Sequence, residues 1–124
     1  MLNNAGINKV FLVGYVGKTP RLNEQPDGHS FYCFPLATNE FIKKHNQLVE
    51  HTEWHQVKIP AQQFADVAPK LDKGQLIYLE GKIKTRAYTD EQGVKRYRSD
   101  IVSVMFRVLA NNVISSETVQ VQQA

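Results

Sequence analysis

Apolar and polar residues alternate along most of this chain, and they do so in short runs rather than at a sustained helical period. The first run is NKVFLVGYVG, rich in β-branched and aromatic residues and closed by Gly17, Lys18, Thr19 and Pro20, a turn composition. A polar loop with Pro26, Asp27 and Gly28 leads to SFYCFPLATNEF, whose apolar density suits a mostly buried strand. Pro35 inside it has no N–H for a ladder, so a bulge or an edge is expected there. The polar stretch IKKHNQLVE reads as a connection to a third strand, TEWHQVKI. In AQQFADVAPKL, Phe64, Val67, Ala68 and Leu71 fall at helical spacing, with Pro60 ahead and Gly74 beyond. That predicts one short α-helix over 61–71, curtailed by Pro69. QLIYLEGKIKTRAY and VKRYRSDIVSVMFRVL flank the tip TDEQG as the strands of a closing hairpin.

Five strands, one short α-helix between the third and fourth, and a long projecting hairpin between the fourth and fifth give the element order of an OB-fold. This is an all-β class, a five-stranded Greek-key barrel whose outer face and loops bind oligonucleotides and oligosaccharides. The barrel is expected over residues 1–110. The tail 111–124 carries no basic residue and a single acid, Glu117, and is expected to be disordered.

Alternate residues of a strand face opposite sides, so parity sorts the aromatic residues. In TEWHQVKI, Val57 and Ile59 share a side with Glu53 and His55, while Trp54 lies with Thr52, Gln56 and Lys58. The only tryptophan therefore sits on the polar side. In GKIKTRAY, Lys82, Lys84, Arg86 and Tyr88 form one side, a row of three cations ending in a ring. Tyr97 and Arg96 lie on the returning strand. Cations interleaved with aromatic residues are what a groove for unpaired nucleic acid requires, since phosphates follow the charges and bases stack on the rings.

Charge sharpens this picture. The net charge is only +3, yet Lys82 to Arg98 holds six basic residues and two acids, a local +4, leaving −1 for the rest of the chain. At 124 residues and 42% hydrophobic, the chain is large enough for one core without metal or disulfide staples. The single cysteine, Cys33, cannot form an intramolecular bridge. No apolar run approaches a membrane span and MLNNAGINKV lacks the regions of a signal peptide, so a soluble cytoplasmic protein with no membrane association is expected. His29, His45, His51 and His55 have no metal-ligand spacing, and no nucleophile accompanies Glu53 and His55; neither metal, cofactor nor catalysis is expected.

The residues also carry a family resemblance. NKVFLVGYVGKTP (8–20), LATNE (36–40), TEWH (52–55), KGQLIYLEGKIKTRAY (73–88) and the D-x-x-G and RY of DEQGVKRY, in this order and spacing, resemble the bacterial single-stranded DNA-binding protein family from about Ile7 to Leu109. The resemblance implies an OB-fold protein that assembles as a homotetramer. It also implies wrapping of single-stranded DNA, without regard to sequence, in replication, recombination and repair at the nucleoid.

By position, the resemblance assigns stacking to Trp54, Tyr88 and Phe41, and phosphate contacts to Lys43, Lys73, Lys84 and Arg86. Parity and charge add Lys58, Lys82 and Arg96 as phosphate contacts, with Tyr97 as a further stacking candidate. The N-terminal strand around Lys9, Phe11 and Val13, together with His55, would face a subunit interface. Two positions depart from the family pattern: Pro60 replaces an aromatic residue and Gln56 a basic one, leaving Phe64 or Tyr97 to compensate. SSETVQVQQA lacks the family's acidic and hydrophobic C-terminal tip, which puts recruitment of repair enzymes through it in doubt. The alternatives are a dimeric OB-fold module that binds RNA or acts in replication restart, and a barrel that serves mainly protein contacts.

Overall fold

The computed structural model describes residues 5–64 and 71–111. Six strands follow one another: β1 (Val10–Val16), β2 (Arg21–Glu24), β3 (Ser30–Lys44), β4 (Gln47–Pro60), β5 (Leu76–Thr89) and β6 (Lys95–Ala110). β1 pairs β3 and β5, β5 pairs β6, β6 pairs β4 in parallel, and β4 pairs β3. These pairings close a five-stranded ring, the OB-fold barrel. β2 adds to the free edge of β3, with Arg21 opposite Cys33 and Asn23 opposite Phe31.

Val16, Leu36, Val57, Ile59, Ile77 and Leu79 fill the barrel at essentially zero exposure, with Phe34, Ile101 and Phe106 beside them. Along β3, β4 and β5 these are alternate residues, so parity became burial once the sheet closed, whereas on β6 a register irregularity brings Ile101 and Phe106 to the same side despite opposite parity. The β5–β6 register shifts at Leu76/Ile77 and at Glu80/Gly81. At the second irregularity the backbones approach closely enough that a Cβ on Gly81 would lie 2.5 Å from the Val102 carbonyl oxygen.

The polar stretch IKKHNQLVE is not a connection. β3 and β4 stay in register from Phe31↔Pro60 out to Lys44↔Gln47. The turn has His45 and Asn46 both at positive φ, 49° and 64°, the primed two-residue geometry that matches strand twist. Charged residues obscured this hairpin because it leaves the barrel beyond Ala37, where neither face is buried and apolar alternation has nothing to report. The loop holding Pro26 likewise contains an unforeseen strand, β2, whose four residues are all exposed and so carry no pattern.

Pro35 causes no bulge. Its carbonyl accepts from Gly17 N–H at 2.8 Å, so its nitrogen faces the same edge of β3, where β2 has ended and β1 has yet to pair. Of the expected helix over 61–71, the described residues form a 3₁₀ turn at Ala61–Phe64; residues 65–70 lie outside the described part, as does the tail from 112. The β5–β6 hairpin ends at the expected tip. Asp90 accepts from the N–H groups of Gln92 and Val94, both at 2.9 Å, and Gly93 supplies a φ of 80°.

Candidate nucleic-acid interface

Directly opposed residues of an antiparallel pair share a face, so the register assigns the outer surface residue by residue. On the β3–β4 hairpin, Phe41 and Lys43 share the face of Trp54, Gln56 and Lys58. Trp54 opposes Ala37 and Phe41 opposes Glu50, four residues along β4, which spaces the two rings by roughly 13 Å. Trp54 is 58% exposed and Phe41 67%. The six-membered ring of Trp54 lies over Gly17, where a Cβ would meet Cζ3 at 2.5 Å. The turn that ends β1 thus provides a flat floor for the ring.

Beside Trp54 runs a groove of about 570 Å³, floored by Gly17, Pro35 and Cys33 and bordered by Lys18, Arg21, Lys58, Arg86 and Arg98. Burial pushes the Cys33 thiol up from its ordinary pKa. Lys84 opposes Asp100 and Arg86 opposes Arg98, and Lys82 and Tyr88 lie on the same face of the β5–β6 hairpin. The Arg86 guanidinium stands 6.0 Å from the Tyr88 ring centroid. Lys73 is exposed in the loop that Gly74 N–H ties to the Val16 carbonyl at 2.7 Å and Thr19 ties to Asp72 at 2.8 Å, alongside the Gly17–Pro20 turn. Arg96 shares the Tyr88 face, but its Nε donates to Asp90 at 2.6 Å, and that contact pulls the Asp90 carboxyl below its ordinary pKa.

Two candidate rings lie away from this surface. Tyr97 opposes Ala87, on the far face of its hairpin from Tyr88, with Lys95 5.7 Å from its ring. Phe64 packs between Tyr32 and Phe106 at centroid distances of 4.5 and 5.3 Å, against the core. The residue opposite Pro60 is Phe31, which puts a half-buried ring on the groove face with the Lys58 ammonium 5.8 Å from its centroid.

The expected interface residues occupy two places. Phe11 and Val13 lie on the outward side of β1, 58% and 50% exposed, and Lys9, just ahead of the strand, lies 3.9 Å from Glu80. His55 lies on the inward side of β4, its Nε2 2.9 Å from the Thr38 hydroxyl.

Sequence reasoning passed over Lys18, Arg21, Phe31, Arg98 and Asp100. Arg98 and Asp100 share the parity of Arg96, so alternation along the returning strand is a signal that finds them. Arg21 joins the groove through the β2–β3 register and Lys18 through the closing turn, while Phe31 lies on the same face through the β3–β4 register; none of these leaves a local pattern.

Comparison with known proteins agrees with this geometry. A single-stranded DNA-binding protein of Bacteroides thetaiotaomicron is 39% identical over 99 residues, covering 77% of this chain and 61% of that protein. One from Neisseria meningitidis serogroup A is 38% identical over 105 residues, covering 83% and 60%. This chain thus spans about three-fifths of the length of these curated relatives. The Plasmodium falciparum SSB, solved in complex with ssDNA, superimposes with a TM-score of 0.73 at 27% identity, over 89% of this chain and 99% of that one. A deletion mutant of the single-stranded DNA-binding protein from Thermus aquaticus gives a TM-score of 0.70 at 26% identity, over 86% and 52%. Residues 7–109, the whole barrel with both projecting hairpins, match the single-strand binding protein family, and the chain belongs to that family.

Proposed function

We propose that this chain binds and protects single-stranded DNA, without regard to sequence and without catalysis, as a cytoplasmic homotetramer in replication, recombination and repair. The observation that carries the reading is Trp54, a ring more than half exposed on the glycine floor of a groove edged by Lys18, Arg21, Lys58, Arg86 and Arg98. A base stacks on this ring while phosphates follow the cations toward Lys82, Lys84 and Tyr88, and toward Phe41 and Lys43 on the other hairpin. A duplex keeps its base faces stacked internally and cannot use such a platform. The apolar outward side of β1, with Phe11 and Val13, and the region of His55 supply the contacts between subunits.

Titration with dT and rU oligonucleotides at several salt concentrations, followed by Trp54 fluorescence, tests this. Quenching by dT is expected, with affinity falling as salt rises by a slope of about −0.7 per phosphate contacted. Preference for rU would shift the assignment to RNA, and no quenching at low salt would refute nucleic-acid binding.

A further inference from the structure

One acidic residue lies within the basic groove. Asp100 is 4% exposed, and its carboxylate is reached from three strands. Arg86 Nε of β5 donates to Oδ2 at 3.2 Å, Lys58 Nζ of β4 lies 3.5 Å from the same oxygen, and Arg98 Nε of β6 lies 3.7 Å from Oδ1. No buried side-chain polar atom among the described residues lacks a partner, so this is a satisfied cluster. Its composition is nonetheless costly for a polyanion binder, because one buried negative charge stands where phosphates would pass.

The register explains what the carboxylate does in the free protein. Arg86 and Arg98 are directly opposed, and like charges in that relation repel. Lys84 opposes Asp100 itself, and Lys58 approaches from the neighbouring strand. An acceptor oxygen at position 100 gives Lys58, Arg86 and Arg98 one common point on which to converge, and Asn keeps such an oxygen while losing the charge. With the aspartate there, Lys58, Arg86 and Arg98 are held around one point, although their joint charge falls from +3 to +2. An arriving phosphate must compete with a carboxylate that already holds the same donors.

We propose that Asp100 is a positioning residue that gathers Lys58, Arg86 and Arg98 into one phosphate-binding cluster and, by holding back one charge, sets how steeply binding depends on salt. This rests on the reading of the groove as a single-stranded DNA site. Asp100→Asn releases that charge, so the slope of log affinity against log salt steepens by about 0.7, the value of one single-strand phosphate. The affinity ratio of Asp100→Asn to wild type therefore falls about fivefold for each tenfold rise in salt. A merely structural role for Asp100 would change affinity or melting temperature but leave the two salt lines parallel.

The experiment measures dT binding by Trp54 quenching from low to high salt for wild type, Asp100→Asn, Arg98→Gln and the double variant. The double variant restores the cluster to +2, so its slope is expected to match wild type, with Arg98→Gln about 0.7 shallower. If Asp100→Asn alone does not fold, Arg98→Gln against the double variant gives the same difference with one fewer repulsion. Parallel lines within both pairs would overturn the proposal while leaving DNA binding intact, whereas absence of quenching in wild type would overturn the underlying reading.

Discussion

Gly17→Ala tests how the Trp54 platform is held without removing any ring or cation of the groove. Gly17 does not occupy the left-handed region, so an alanine backbone is permitted there. The new Cβ would lie 2.5 Å from Cζ3 and 3.1 Å from Cη2 of Trp54, and 3.2 Å from the Pro35 carbonyl oxygen. Carbon atoms in contact settle near 3.5 Å or more, so the ring must retreat by about 1 Å. Being 58% exposed, it can swing outward at small cost to folding, and the melting temperature should fall little. Stacking contributes roughly 1 to 3 kcal/mol per base. Losing about half of that lowers affinity for dT oligonucleotides by about 2- to 13-fold. Trp54 is the only tryptophan, so its fluorescence reports both the displaced ring and the weakened titration. In a Trp54→Ala background, followed by anisotropy of a labelled oligonucleotide, Gly17→Ala should then have no further effect. An equal loss in both backgrounds would show that the substitution acts through Pro35 and the backbone, and would refute the platform argument.

Trp54→Ala should weaken dT binding by about 5- to 150-fold, the full stacking contribution. It should do so more than Lys58→Ala and without dissociating the proposed homotetramer by native mass spectrometry; dissociation would place Trp54 in a subunit contact instead. His51 Nε2 lies 2.9 Å from Glu53, which raises His51 above its ordinary pKa of 6.5 and lowers Glu53 below its ordinary 4.5. His51 therefore adds stability that is fully present below pH 6.5 and lost as pH rises through its raised value. Glu53 adds stability present above pH 4.5 and lost as pH falls through its lowered one. Glu53→Gln should return the His51 NMR titration midpoint toward 6.5, and an unmoved midpoint would discount the contact. Leu79→Ala, at a position with zero exposure, should cost about 2 to 5 kcal/mol in denaturant unfolding; a loss below 1 kcal/mol would mean that the barrel core closes over the space.

Local periodicity was enough to place Trp54, Lys58 and the Lys82–Tyr88 row on an outward face, because a strand's two sides separate at every residue whatever lies beside it. It was also enough for the OB order, since each barrel strand has one side sealed against Leu36, Ile59 or Ile77 and the other in solvent. The β3–β4 hairpin and β2 escaped that reading for the same physical reason: with neither face buried, they show no alternation. Closure of the barrel decided the rest. The registers bring Arg21 to the groove, place Phe31 on its face and turn Tyr97 away from Tyr88, and the 3₁₀ turn packs Phe64 against the core. The same closure gathers Lys58, Arg86 and Arg98 from three strands around one carboxylate. Arg86 and Arg98 belong to one hairpin, but Lys58 comes from a strand that meets them only when β4 pairs with β6, and that pairing leaves no local pattern in the sequence.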